Sequence, residues 1–264
     1  MKTKDILIRY TFATAGFFFV ALGIAFSVKA NLGISVLNAP PYAVTCKFPQ
    51  FSLGLTNFIF FVLCMIFQMI ILRKKFKKMD LLQLVANFIL GFFINICVAL
   101  VSGINILPEG NLQVAVLIVL SIVISAFGIS MEVVAGAWML PADMTVRAIG
   151  LAFGGKFSNN KIIMDCTVLA IGVVLCWIFF GNPLGPQGTP IIGWGTLILA
   201  IFIGLCMKIT TPLLKKINYF KDSGPFSFPI VKRNKIRVNT EMSATRSRVF
   251  LSASSRRRLL DGKS

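Results

Sequence analysis

Four ionisable residues stand out within 34 consecutive positions, in or beside apolar stretches: Glu132, Asp143, Arg147 and Asp165. Placing such a group in or beside a membrane helix costs about 2.5–3.5 kcal/mol on insertion scales, so each needs a reason to be kept. Three reasons suit these residue types: binding a polar solute, carrying a proton, or closing a structural ion pair. Asp143 and Arg147 are four apart, so on a helix they share a face, and the spacing predicts that they pair. Such a pair fits a salt bridge that pins its segment as well as it fits a solute site. Glu132 and Asp165 fit interfacial caps as well as they fit ligands.

A neutral set occupies matching positions earlier in the chain. Asn38 precedes Asp143 by 105 residues, Tyr42 precedes Arg147 by the same interval, and Asn57 has the helix position of Asp165. One half would supply charge and the other hydrogen bonds to an asymmetric solute. Asn87 and Asn95 are also intramembrane polar groups, with interhelical hydrogen bonding as their expected use.

Other chemistry is excluded by what the chain lacks. With no His at all, His-dependent triads, imidazole bases and His metal sites are excluded. The six Cys (46, 64, 97, 166, 176 and 206) stand singly without ligand spacing, as small apolar residues do. No GxxxxGK[ST] motif is present, so any ATP drive would need another subunit. No catalytic residue, metal site or cofactor is assigned, and an enzyme is not expected.

The elements that must position these residues are membrane spans. Hydrophobic residues make up 56% of the 264 positions, and mean hydropathy is +0.84, both high for a water-soluble domain. Six apolar stretches approach the length of about 20 residues that a bilayer requires: about 10–28, 55–72, 81–102, 112–135, 162–180 and 191–211. None alternates with period two, so each is read as a helix. The first, preceded by basic residues, also has features of a signal peptide, but its apolar run is too long and it is kept as a span.

The net charge of +18 punctuates the apolar stretches instead of lining one face, which argues against nucleic acid. With the N-terminus in the cytoplasm, fourteen Lys and Arg of residues 1–217 lie inside, including the hinge Arg73-Lys74-Lys75-Phe76-Lys77-Lys78. Only Lys29 and Lys47 lie outside.

Leu22-Gly23-Ile24 and Phe127-Gly128-Ile129 hold the same place in the first and fourth spans, and a Pro-broken connection follows each. The order of helix, broken segment, helix, helix thus occurs twice, in repeats at about 8–103 and 112–212. Three spans per repeat invert the second copy, an architecture common among transporters. The broken segments fit re-entrant elements and interfacial helices equally. Gly91, Gly193, Gly195 and Gly204 mark close helix approaches.

Residues 1–217 therefore form a transmembrane domain. Residues 218–264, with eleven Lys/Arg and three Asp/Glu, form a basic tail expected to be disordered and drawn to anionic lipid at the cytoplasmic face.

These features bear a resemblance. Leu22-Gly23-Ile24 with Leu32-Gly33-Ile34-Ser35, Leu140-Pro141-Ala142-Asp143, Asp165, and Gly193-Trp194-Gly195-Thr196 are similar to the bacterial YczE/YyaS/YitT group of multi-pass membrane proteins. The resemblance covers about residues 8–212. Such proteins commonly carry Trp after the first broken-segment Pro, whereas this chain has Pro40-Pro41-Tyr42. The resemblance implies a bacterial plasma-membrane address and a topology more than an activity.

The expectation from the residues is an all-α membrane protein that moves a small solute. The alternative is a scaffold or regulatory partner of another protein, and a homo-oligomer is left open.

Overall fold

The computed structural model describes residues 3–73, 76, 78–103, 110–137, 140–154 and 157–216. The expected tail at 218–264 lies outside the described residues, as does part of the basic hinge. Among the described residues the α-helices are α1 (Thr3–Ala30), α2 (Ala39–Lys47), α3 (Leu53–Leu72), α4 (Gln83–Ser102), α5 (Asn111–Ala135), α6 (Pro141–Phe153), α7 (Phe157–Phe180) and α8 (Trp194–Lys215). Short 3-10 turns at Val36–Asn38 and Lys78–Leu82 precede α2 and α4.

Six of these helices are long and apolar enough to cross a membrane, α1, α3, α4, α5, α7 and α8. Their bounds agree with the expected spans to within a few residues. Phe88, Phe92, Trp177, Trp194 and Ile209 are each more than half exposed, a surface suited to lipid and not to water. On α3 the buried positions Gly54, Asn57, Phe61, Met65, Gln68 and Leu72 recur every three or four residues, so one stripe faces the bundle.

Both breaks begin in the same way. Asn31 ends α1 in the left-handed region at φ 51°, and Gly136 ends α5 there at φ 56°, its N–H donating to the Glu132 carbonyl at 3.0 Å. Pro40 and Pro41 then open α2, and Pro141 opens α6. A helix that starts away from water leaves its first N–H groups without acceptors, and proline has none to leave.

α1 and α5 form the most extensive helix pair. α4 lies against α1 and α8 against α5 to nearly equal extents, and α2 and α6 each pack on both α3 and α7. α3 also packs on α4, whereas α7 and α8 do not pack in that way.

Small residues set the closest approaches. A Cβ on Gly16 would lie 2.8 Å from the Gly128 carbonyl oxygen, and one on Gly128 would lie 2.6 Å from that of Gly16. Gly23 lies against Ser121 and Ser125, and the Ser121 hydroxyl donates to the Gly23 carbonyl at 2.7 Å. Gly54 and Gly91 bring α3 onto α4, where Asn95 Oδ1 accepts from the Gly54 N–H at 2.8 Å and Asn87 Nδ2 donates to the Phe58 carbonyl at 3.0 Å. Gly193 and Gly195 admit the Leu32 carbonyl, which accepts from the Gly195 N–H at 2.8 Å. Gly204 departs from expectation: nothing lies within 4 Å of a Cβ placed there, because α8 presents that face outward.

Candidate functional site

The last turn of α5, the first turn of α6 and the second and third turns of α7 carry Glu132, Asp143, Lys161 and Asp165. Glu132 is 7% exposed, and its Oε1 has no hydrogen-bond partner among the described residues. Asp143 is near enough to act on it electrostatically. Lys161 Nζ lies 3.6 Å from Asp143 Oδ1 and 3.2 Å from Asp165 Oδ1. These three side chains are about one-third exposed, at 29%, 34% and 35%, so the pairing is not sealed within the protein. One ammonium thus serves two carboxylates, with a third buried beside them.

The predicted pairing of Asp143 with Arg147 is not formed. Local spacing favours it, but α7 brings Lys161 to Asp143 from across the tertiary contact. Arg147 is half-buried and makes no ion pair or hydrogen bond with a described residue. Three of the four charged residues singled out from sequence therefore gather, and the fourth stays apart. Lys161, read from sequence only as a topological charge, is their common partner. Its spacing of four from Asp165 was the available signal.

The first break gathers neutral groups. Asn57 Nδ2 donates to Asn38 Oδ1 at 2.6 Å, and Asn38 Nδ2 donates to Ser35 Oγ at 2.7 Å. Asn38 is 6% and Asn57 1% exposed, and Asn57 Oδ1 has no partner among the described residues. Tyr42 does not join this chain of hydrogen bonds. In both halves the polar residue that opens the short helix is tied to the span that follows: Asn38 to α3, Asp143 to α7.

Other polar side chains complete helix ends, and sequence reasoning missed them. Arg9, buried, donates to the Ala135 carbonyl at the end of α5 at 3.0 Å. Lys29 donates to the Val101 carbonyl at the end of α4 at 2.8 Å, and Lys47 to the Phe179 carbonyl at the end of α7 at 3.2 Å. A cation at a helix C-terminus satisfies orphan carbonyls and complements the helix dipole. Gln68 of α3 donates to the Pro141 carbonyl at 2.7 Å and to Thr145 at 2.9 Å, holding the start of α6.

The helical bundle and its intramembrane polar groups define a multi-pass membrane protein. Residues 7–212 match the model of a family described as a family of unknown function, DUF6198, and the chain belongs to that family. It is also similar to a protein of Bacillus subtilis (strain 168) named "Uncharacterized membrane protein YczE". The two are 27% identical over 220 residues, 82% of this chain and 92% of that protein. No solved structure matches the chain.

Proposed function

We propose that the protein is a secondary transporter for a small polar solute, built from two inverted three-span repeats and working by alternating access. The observation that carries this reading is the cluster at the second break, where Lys161 is shared by Asp143 and Asp165 beside the buried Glu132, whose Oε1 has no partner among the described residues. Charge held at this cost, at the start of a broken helix, is how transporters of this architecture build a solute or coupling-ion site.

Packing supports the repeat. A shift of 105 residues carries Gly23 to Gly128, Gly16 to Ser121 and Val20 to Ser125. Gly23 lies on Ser121 and Ser125, and Gly128 lies on Gly16 and Val20, so each contact has its mirror. Re-entrant breaks are favoured over interfacial ones because Ala39 and Pro40 meet Gly172, eight residues (about 12 Å) short of the end of α7 at Phe180.

The two halves differ as alternating access requires. α3 is closed on α4 and the Asn38–Asn57 pair is sealed, while α7 is parted from α8 and the charged cluster is partly open. On this reading the charge asymmetry along the chain favours the cytoplasm for that open side, for both termini and for the 218–264 tail, and the membrane is a bacterial plasma membrane.

A thermal-stability screen of small solutes on the purified protein, followed by flux in proteoliposomes, tests the reading. The true solute at one hundred times its Kd should add about 2.7 kcal/mol of stability, and Lys161→Met should abolish both stabilisation and flux. Unchanged flux in Asp143→Asn and Lys161→Met would sink the site. A protein that stabilises with no solute and co-purifies with a partner would instead be a scaffold.

A further inference from the structure

A groove of about 750 Å³ runs along the bundle, and none of Glu132, Asp143, Lys161 and Asp165 lines it. Its walls are α3 and α7, and its floor is both short helices, with Pro41 and Val44 from α2 and Ile149 and Phe153 from α6. It is open along one side, and the walls that leave it open are membrane spans, so the opening faces the bilayer.

The lining offers almost no hydrogen bonding. Of its hydroxyl groups, Thr56 donates to the Ser52 and Leu53 carbonyls, Thr145 to that of Pro141, and Thr167 to that of Ile163. Each donor is thus used within its own helix or at its start. A polar solute would lose its hydration here without replacement, at about 1–3 kcal/mol for each group left unpaired. The occupant must be hydrocarbon.

Size separates the hydrocarbon candidates. On α3 the lining runs from Thr56 to Ile71, which is about 22 Å along the helix axis. A volume of about 750 Å³ over that length leaves a mean cross-section of roughly 34 Å². A helix of a second copy, at least about 10 Å across, needs roughly 80 Å² and can at most lay one face along the opening. An alkyl chain, whose atoms contact neighbours at about 4 Å, needs roughly 20 Å² and fits lengthwise.

We propose that this groove is a binding site for the acyl chain of a membrane lipid, which enters sideways and lies across the outer surfaces of both short helices. The site shares no lining residue with the charged cluster and does not depend on transport.

The test is photolabelling in phosphatidylcholine vesicles with a phosphatidylcholine that carries a diazirine near the end of one acyl chain. The full-length protein is then digested and the labelled residues are mapped by mass spectrometry. Labelling at Leu63, Phe67, Ile149 and Ile171 is expected to exceed that at the equally apolar, exposed Ile201, Phe202 and Leu205 of α8. An excess of about tenfold corresponds to about 1.4 kcal/mol of preference. Leu63→Trp and Ile149→Trp should each remove the excess by filling the groove. Equal labelling of both faces in the wild-type protein would overturn the proposal, and that comparison does not require either variant to fold. So would a groove left unlabelled in a dimer and labelled in the monomer, since a second copy would then cover it.

Discussion

At the scale of single residues, the polar groups divide by how deeply they are buried. The Asn38–Asn57 bond is sealed, so cutting it leaves a partner stranded: Asn57→Ala should cost about 1–3 kcal/mol of unfolding free energy in detergent. A double-mutant cycle with Asn38→Ala should return a coupling of at least about 0.5 kcal/mol, and additivity would show that the pair is idle. The Lys161 pairings are partly exposed, so their loss should be milder. Lys161→Met should destabilise by leaving Asp143 and Asp165 facing each other, and adding Asp165→Asn should recover part of the loss in the same unfolding measurement. Sequence made the acidic members of this cluster legible, because a carboxylate in an apolar run is conspicuous by itself. Their cation was not legible. Lys161 sits beside the start of a span, where a topological charge is expected anyway, and the i, i+4 rule sees only partners on the same helix. Arg147 satisfied that rule for Asp143, and the packing of α7 overrode it.

At the scale of elements, the glycines give opposite expectations from similar surroundings in sequence. Gly128→Ala pushes a methyl group into the Gly16 carbonyl and should weaken the α1–α5 crossing. Gly204→Ala meets open space in the middle of α8 and should leave stability unchanged, or raise it by up to about 1 kcal/mol through helix propensity. Paired thermal melts check both, and equal effects would mean that the crossing is not set by backbone contact. The six spans were legible to within a few residues because length and hydropathy are local properties. Which glycine meets a neighbour is decided by a helix a hundred residues away, so Gly91 and Gly204 looked alike. The prolines of the two breaks were legible as interruptions. That they open helices buried against α3 and α7 emerges only from the packing.

At the scale of the whole molecule, the two basic residues that oppose the charge asymmetry are both engaged by protein. Lys29 and Lys47 hold the carbonyl ends of α4 and α7, so they need no place in the anionic headgroups that favour Lys and Arg on the other face. The orientation itself is open to measurement. In a background with the native thiols replaced, a cysteine at Gly188 should react with an impermeant maleimide added to intact cells, and one at Arg73 should not. The reverse pattern would invert the molecule. These caps also order the birth of the fold. Lys47 is 132 residues ahead of its acceptor, Lys29 is 72 ahead, and Arg9 is 126 ahead of Ala135. At about 5–20 residues per second of synthesis, Lys47 waits on the order of ten seconds before its acceptor exists. These caps therefore close only when the later spans have left the ribosome, and the bundle locks when the second half of the chain arrives.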